Sequence, residues 1–193
     1  IIVVGKTETS KELTFEVNND KEIRFYYVKA ETIIRERHID ITTGSEVEIS
    51  SENHTGIVGE STTLNRLADD IYEAADGPEV TEENVIVAGK SDTSITENYE
   101  PDVIKEVRFY YVKAKSKIIE KHIDITDGSE VILEEHEYTD NVGETKTLNR
   151  LTSNFYVGAD APADVPEGII VVGKTETSKD VSFEANKDKE VRF

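Results

Sequence analysis

The chain has 193 residues, of which 41 are acidic and 22 basic, so its formal net charge is −19. A surface this acidic excludes phosphate-neutralising patches, and no run approaches the roughly 18 apolar residues of a membrane span, so we expect no nucleic-acid partner and no membrane insertion. Because cysteine is absent, disulfides, thiolate metal sites and cysteine nucleophiles are excluded as well.

A single sequence unit repeats along the chain. The segments 1–25 and 169–193 are identical at 19 positions, and Gly5, Gly89 and Gly173 are spaced 84 apart. Such a period is typical of tandem repeat proteins. We therefore predict three segments: residues 1–21 as the C-terminal fragment of a preceding repeat, and 22–105 and 106–193 as two repeat modules.

The elements of one repeat follow from its hydrophobic periods. KEIRFYYVKA (21–30) and IIRERHIDI (33–41) alternate apolar and polar residues and predict strands, and Gly44 predicts a turn before a further strand. Residues 60–78 change to helical spacing, with Leu64, Leu67, Ile71 and Ala75 one or two turns apart, and VIVAGK (85–90) returns to a strand. The predicted fold is therefore β-rich α+β, with two elongated modules of about five strands and one short helix each, stacked head-to-tail.

The helix has a counterpart in the second copy, where Leu148, Leu151 and Phe155 keep the spacing. The junction between the copies lacks the Gly/Ser- or Pro-rich composition of a linker. We therefore expect a strand of one module to run directly into the next, giving a stiff rod in which neighbouring repeats of the same chain are each other's partners.

Histidine and aspartate recur together in both copies. His38 and Asp40, like His122 and Asp124, are two residues apart on a predicted strand and therefore share a face. A His–Asp pair could support catalysis only with a nucleophile, and the sequence marks none. The recurrence fits a structural position better, and we expect no enzymatic activity.

Residues 124–130 (DITDGSE) place oxygen-bearing side chains around Gly128, as a calcium loop would. The alternate aspartates and the glutamate at position twelve of an EF-hand are missing, and the first copy has Thr43 in place of Asp127. A β-turn explains the glycine more simply. We predict no catalytic, cofactor-binding or metal-binding residues and no cofactor.

Two adjacent tyrosine pairs, Tyr26–Tyr27 and Tyr110–Tyr111, are the best candidates for ligand contact. Since neighbouring residues of a strand point to opposite faces, one tyrosine of each pair is predicted to face outward. An outward tyrosine could bind a sugar or a host protein, or pack against the next module or a loop.

RFYYVK (24–29), VGESTTLNRL (58–67), IYEAADG (71–77) and VIVAGKSDTS (85–94) together resemble the MucBP-like repeats of Gram-positive surface proteins, and the unit length resembles the streptococcal SHIRT repeats. The resemblance implies an extracellular, cell-wall-anchored bacterial surface protein whose repeats form a stalk and whose distal adhesin domain contacts a host surface glycoprotein. An alternative is a low-affinity, multivalent module that itself binds mucin, glycan or matrix protein. An exposed aromatic patch at the same place in both copies would favour that alternative.

Overall fold

Fifteen β-strands form the regular structure of residues 1–79 and 82–193, which are the residues that the computed structural model describes. Two short strands come first, and one order of strands then occurs twice along the chain, except that residues 156–159, the counterpart of Tyr72–Ala75, form no strand. The strands are β1 (Ile2–Val3), β2 (Ile23–Arg24), β3 (Glu31–Asp40), β4 (Val47–Ile57), β5 (Ser61–Asn65), β6 (Tyr72–Ala75), β7 (Val85–Val87), β8 (Ser94–Asn98), β9 (Lys105–Lys113), β10 (Lys115–Asp124), β11 (Val131–Asn141), β12 (Thr145–Asn149), β13 (Ile170–Val171), β14 (Ser178–Ser182) and β15 (Lys189–Arg192).

Two larger sheets share one plan. The first has the order β4–β3–β9–β6, with β7 also paired to β9, and the second has the order β11–β10–β15–β13. In the first sheet, β3 pairs antiparallel with β4 and parallel with β9. In the second sheet, β10 pairs antiparallel with β11 and parallel with β15. Ile34 lies opposite Lys105 and Ile118 lies opposite Lys189, so the same register recurs one repeat later.

A two-stranded antiparallel ribbon accompanies each sheet: β5 with β8, and β12 with β14. The ribbons carry Leu64 and Leu148, which are both 1 % exposed and belong to the two cores. On β9, Val107, Phe109 and Tyr111 alternate onto the face that the first core covers. Each core therefore lies between a sheet and its ribbon, and the two cores are separate clusters.

The α+β prediction is wrong, because residues 1–79 and 82–193 contain strands and no helix. The leucines at helical spacing do not share a buried face: Leu64 is buried on β5, whereas Leu67 and Ile71 are 36 % and 42 % exposed. β-branched Thr62 and Thr63 favour an extended chain, and β5 gains a full antiparallel ladder with β8. Tertiary pairing therefore overrides the local helical pattern.

In the second copy the helix prediction is wrong for the same reason. Leu148 is buried on β12, and Phe155 is 93 % exposed in a segment without regular structure. Residues 152–158 contain serine, asparagine and glycine, which form helices poorly.

Strand β9 belongs to the first sheet throughout its length, since its ladder partners are β3, β6 and β7. The next strand, β10, begins at Lys115 and pairs with β11 and β15 of the second sheet. Only Ala114 separates the two strands. The segment boundaries at 21/22 and 105/106 stay a prediction, but the hydrogen bonding changes sheet at Ala114.

The expectation that one tyrosine of each pair faces outward is wrong for the second pair. Tyr110 is 0 % and Tyr111 1 % exposed. Tyr111 points into the first core, and Tyr110, on the opposite face of β9, is covered by the loop that contains Gly77. The Tyr110 hydroxyl donates to Glu46 at 2.9 Å. The loop therefore covers Tyr110. Packing against a loop was the alternative to ligand binding for the outer tyrosine.

Substituting Gly77 with alanine is expected to destabilise the first repeat by about 1–3 kcal/mol. A Cβ atom at Gly77 would lie 2.2 Å from Cδ2 of the Tyr110 ring, which is enclosed and cannot move aside. Urea denaturation measures the loss. Gly5→Ala is the matched control, because its Cβ would meet nothing closer than 3.9 Å; equal stability of both variants would contradict the packing described here.

Candidate functional site

The histidine of each repeat lies at a β-bulge in its long hairpin. The register of β3 with β4 shifts between His38 and Ile39, and that of β10 with β11 shifts between His122 and Ile123. Both histidines are 5 % exposed. The bulge turns the imidazole into the core side of the sheet.

His38 contacts Tyr111 and Glu36. Its Nδ1 lies 2.7 Å from the Tyr111 hydroxyl, its Nε2 lies 3.1 Å from Oε1 of Glu36, and its ring stacks on Phe109 at a centroid distance of 5.3 Å. The expected neighbour, Asp40, instead accepts hydrogen bonds from Thr42. His38 and Asp40 therefore do not hydrogen-bond to each other as a catalytic pair would. The hydroxyl group that contacts His38 is the buried phenol of Tyr111.

A second imidazole shares the same carboxylate. His54 Nε2 donates to Oε2 of Glu36 at 2.8 Å, so both oxygens of this buried glutamate have partners. Glu36, Glu52 and His54 are the one group in the described residues whose ligand atoms lie within 4.8 Å of one another, as a metal ion would require. In the second copy Tyr138 replaces His54 and donates to Glu120 at 2.8 Å. What recurs is thus a hydrogen bond to the buried glutamate rather than a set of metal ligands.

The aspartates of the calcium-like segment are engaged in turns. Asp124 accepts from the backbone N–H of Thr126 at 2.9 Å, and Asp127 accepts from that of Ser129 at 3.0 Å. Gly128 has φ of +85°, in the left-handed region that favours glycine. These contacts are those of Asx-type turns between β10 and β11.

Burial lowers the pKa of His38 below its usual 6.5, against the opposing effect of the Glu36 carboxylate, and the nearby Arg66 lowers it further. The folded state then binds this proton less readily than the unfolded chain does. The stabilisation is therefore fully present above about pH 6.5 and is lost as the pH falls below it.

Replacing His38 with glutamine is expected to remove part of the acid sensitivity of the protein, at most about 1.4 kcal/mol for each pH unit between 6.5 and the lowered pKa of the folded state. Urea midpoints at pH 7.5, 6 and 5 measure the effect. His136→Gln, at an exposed imidazole on β11, is the control. An equal pH dependence in His38→Gln and the parent chain would contradict a buried neutral imidazole.

One arginine in each repeat donates hydrogen bonds to several backbone carbonyls beside the core, and the sequence analysis did not identify it. Arg66 donates from Nε to the Asp92 carbonyl at 2.9 Å, and its two terminal nitrogens donate to the carbonyls of Tyr110 at 2.7 Å and Gly89 at 2.9 Å. Its guanidinium also lies 5.3 Å from the centroid of the Phe109 ring. The signal was present in the sequence, because L-N-R-L occurs unchanged in both copies.

Arg150 takes the same place in the second copy. It donates to the carbonyls of Glu176, Val172 and Gly173 at 2.8 to 3.1 Å, and it lies 5.5 Å from the centroid of the Phe193 ring. A planar, permanently charged donor fork suits several carbonyl groups at once. Each arginine therefore joins the end of one ribbon strand, β5 or β12, to the loop that precedes the other ribbon strand, β8 or β14.

The junction between the sheets is held from both sides. The N–H of Ala114 donates to the Ile71 carbonyl of the first repeat at 2.8 Å, and its carbonyl accepts from the N–H of Val142 of the second repeat at 2.8 Å. The preceding residue, Lys113, donates its N–H to Oγ1 of Thr42 at 2.7 Å. The carbonyl of Ala30, at the equivalent position one repeat earlier, accepts from Val58 at 2.9 Å in the same way.

The exposed aromatic side chains do not occupy equivalent places in the copies. Phe15 is 97 % exposed, but Tyr99 and Phe183 at the same repeat position are 6 % and 3 % exposed. Phe155 is exposed where the first copy has Ile71. The described residues therefore present no aromatic patch common to both repeats.

No family model and no curated protein matches the chain. Among solved structures, the type 2 repeat of the mucus binding protein MUB from Lactobacillus reuteri is similar over 83 % of this chain and 96 % of that chain, with 11 % sequence identity and a TM-score of 0.24. No helix long and apolar enough to cross a membrane occurs in residues 1–79 and 82–193.

Proposed function

We propose that this chain is a stalk segment of a cell-wall-anchored surface protein of a Gram-positive bacterium. Its repeats form a rigid rod that projects a distal adhesin domain from the cell. The observation that carries the proposal is the junction at Ala114, where one residue hydrogen-bonds to both repeats. The sequence motifs that resemble MucBP-like and SHIRT repeats support the cellular setting.

Stiffness at the junction follows from its hydrogen bonding. A swivelling linker needs several residues whose backbone is free of tertiary contacts, and here Lys113, Ala114 and Lys115 are each bonded or within a strand. Bending the two repeats apart would break at least one of the two Ala114 bonds. Because each added unit would bring the same junction, the length of the rod would increase with the number of repeats.

The surface fits this role. The charge of −19 resists association between neighbouring stalks and with anionic surfaces. In this role the repeats carry out no reaction, and a distal domain rather than the repeats contacts the host. A multivalent binder would need the same contact patch in each repeat, and the exposed aromatic side chains do not recur in that way.

Small-angle X-ray scattering on chains of two, four and six repeats tests the proposal. The maximum dimension is expected to rise by an equal step for each added repeat, because every junction keeps its two hydrogen bonds. Steps that shrink as repeats are added, as in a flexible string, would contradict a stalk. Saturable binding of mucin or fibronectin to the isolated pair would favour the alternative function.

A further inference from the structure

One ladder of the first sheet joins the strand through which the chain enters that sheet to the strand through which it leaves. Strand β3 is the first strand of the sheet along the chain, and β9 passes through Ala114 into the second sheet. The two strands are parallel neighbours over seven paired residues, from Ile34 opposite Lys105 to Asp40 opposite Tyr111. This β3–β9 ladder therefore links the entry of the chain directly to its exit.

Tension along the chain would load the β3–β9 ladder in shear. Because the strands are parallel, the entry at Glu31 and the exit at Lys113 lie at opposite ends of the ladder. Tension then pulls the two strands past each other, and all the backbone hydrogen bonds between them are strained together. A ladder pulled at one end would instead lose its pairs one after another. The pairing of β3 with β9 is thus oriented in the direction that resists tension best.

Side-chain hydrogen bonds close the ladder at both ends. The Thr32 hydroxyl donates to the Val103 carbonyl at 2.7 Å, just before β9 begins. At the other end, the N–H of Lys113 donates to Oγ1 of Thr42 at 2.7 Å, just after β3 ends. Sliding of β3 along β9 would break both contacts together with the backbone bonds.

Two further side-chain contacts cross the middle of the ladder. The Tyr111 hydroxyl lies 2.7 Å from Nδ1 of His38, and both residues are buried. The Arg37 guanidinium lies 3.3 Å from the carboxylate of Glu106, whose side chain is 15 % exposed. Since each contact joins one residue of β3 to one of β9, neither survives a shift between the strands.

Strand β9 is also held on its other side. It pairs in parallel with β7 and antiparallel with β6, so it lies inside the sheet and cannot peel away from an edge. Removing β9 from the sheet therefore requires breaking its pairing with three strands. The second sheet repeats the parallel arrangement, because β10 pairs with β15 in the same way.

We propose that the first repeat has a second function as a mechanical clamp, in which the β3–β9 ladder bears tension along the chain and keeps the repeat folded under load. The source of the tension rests on the proposed stalk function, because a stalk is pulled whenever its distal domain is held. The rate of unfolding under force, rather than the free energy of unfolding, determines how long such a clamp lasts.

Optical tweezers on single molecules of the whole chain test the proposal, with DNA handles on two introduced cysteines in a chain that has none of its own. Glu31→Cys with Lys115→Cys loads the ladder in shear, because these exposed residues flank its opposite ends. Ser45→Cys with Lys115→Cys is the control geometry, because both residues lie beyond the same end and the load peels the pairs apart in turn. At one loading rate, the shear geometry is expected to unfold at about two- to threefold higher force.

An isosteric substitution in the shear geometry tests the ladder itself. Thr32→Val removes the hydrogen bond to Val103 and is expected to raise the unfolding rate under load about fivefold. Thr63→Val is the matched control, because the Thr63 hydroxyl contacts that of Thr96 at 2.9 Å in the β5–β8 ribbon, outside the ladder. Its unfolding rate under load should stay within about twofold of the parent rate.

Two results would overturn the proposal. The first is an equal unfolding force in the shear and peeling geometries. The second is an equal unfolding rate of Thr32→Val and Thr63→Val under load, because the contacts across the ladder would then bear no tension. The handles load one repeat only, so the outcome does not depend on whether successive repeats form a rod. Scattering steps that shrink would contradict the stalk while leaving the clamp intact.

Discussion

Replacing Arg66 with alanine is expected to destabilise the first repeat by about 4 kcal/mol. The substitution removes one hydrogen bond from each of the carbonyls of Asp92, Gly89 and Tyr110, and it removes the cation from the faces of Phe109 and Tyr111. Replacement by lysine should recover only part of the loss, since one ammonium cannot match the planar fork. Urea denaturation of the whole chain measures both changes.

Arg35→Ala is the control for this prediction. Arg35 is also an arginine of the first sheet, but its side chain is 49 % exposed and its contacts to Asn53 and Glu106 are 3.4 Å and 3.6 Å long. A cost below about 1 kcal/mol is expected there. Equal costs for Arg66→Ala and Arg35→Ala would mean that the carbonyl contacts do not stabilise the repeat.

Inserting Gly-Ser-Gly-Ser between Ala114 and Lys115 is expected to uncouple the two repeats without unfolding either. The insertion separates the Ala114 N–H bond to Ile71 from the strand that begins at Lys115, so a free backbone stretch replaces the continuous β-structure. ¹⁵N relaxation should give one shared rotational correlation time for the parent chain. In the variant, each repeat should tumble about twofold faster.

The matched control carries the same four residues between Gly44 and Ser45, in the exposed turn of the first hairpin. That insertion lengthens a surface loop and leaves the junction intact, so coupled tumbling should persist. Fast, independent tumbling of the parent chain would contradict a rigid junction, whichever result the variants give.

The strands were predictable because their period and their repetition agree. The alternating copy at residues 105–114 forms β9, and the constant repeat spacing places the two hairpins in the same register, whereas only Ile23–Arg24 of the strand predicted over KEIRFYYVKA (21–30) is a strand. The direct passage of β9 into β10 follows from the absence of linker residues around Ala114. The strand positions and the direct passage of β9 into β10 depend on local sequence preferences, and the strand pairing in the sheets agrees with those preferences.

The error of the helix prediction for residues 60–78 could not be recognised from that segment alone. Leu64, Leu67, Ile71 and Ala75 have helical spacing, but the chain after Leu64 is held by Arg66, whose three acceptors lie 23 to 44 residues later in the sequence. Local periodicity contains no information about such long-range contacts. The tyrosine prediction was wrong for a related reason, since the loop over Tyr110 depends on Gly77, which marks only a turn in the sequence.

Of the candidate site, the sequence indicated the recurring histidines and tyrosines but not their pairing. His38 contacts Tyr111, 73 residues away, rather than Asp40, which lies two residues away on the same strand. The bulge between His38 and Ile39 rotates the imidazole toward β9. Neither residue type is one from which a bulge can be predicted. The contact became visible only with the parallel register of β3 and β9.

A distance distribution between spin labels in the two repeats tests the central claim most directly. Because the chain has no cysteine, Glu52→Cys and His136→Cys, at equivalent exposed positions, can be labelled without further change. Double electron–electron resonance is expected to give a single narrow distance that does not change with protein concentration once the labelled chain is diluted with unlabelled chain. A broad distribution, as wide as that of the chain with Gly-Ser-Gly-Ser after Ala114, would contradict a rod built through continuous β-structure.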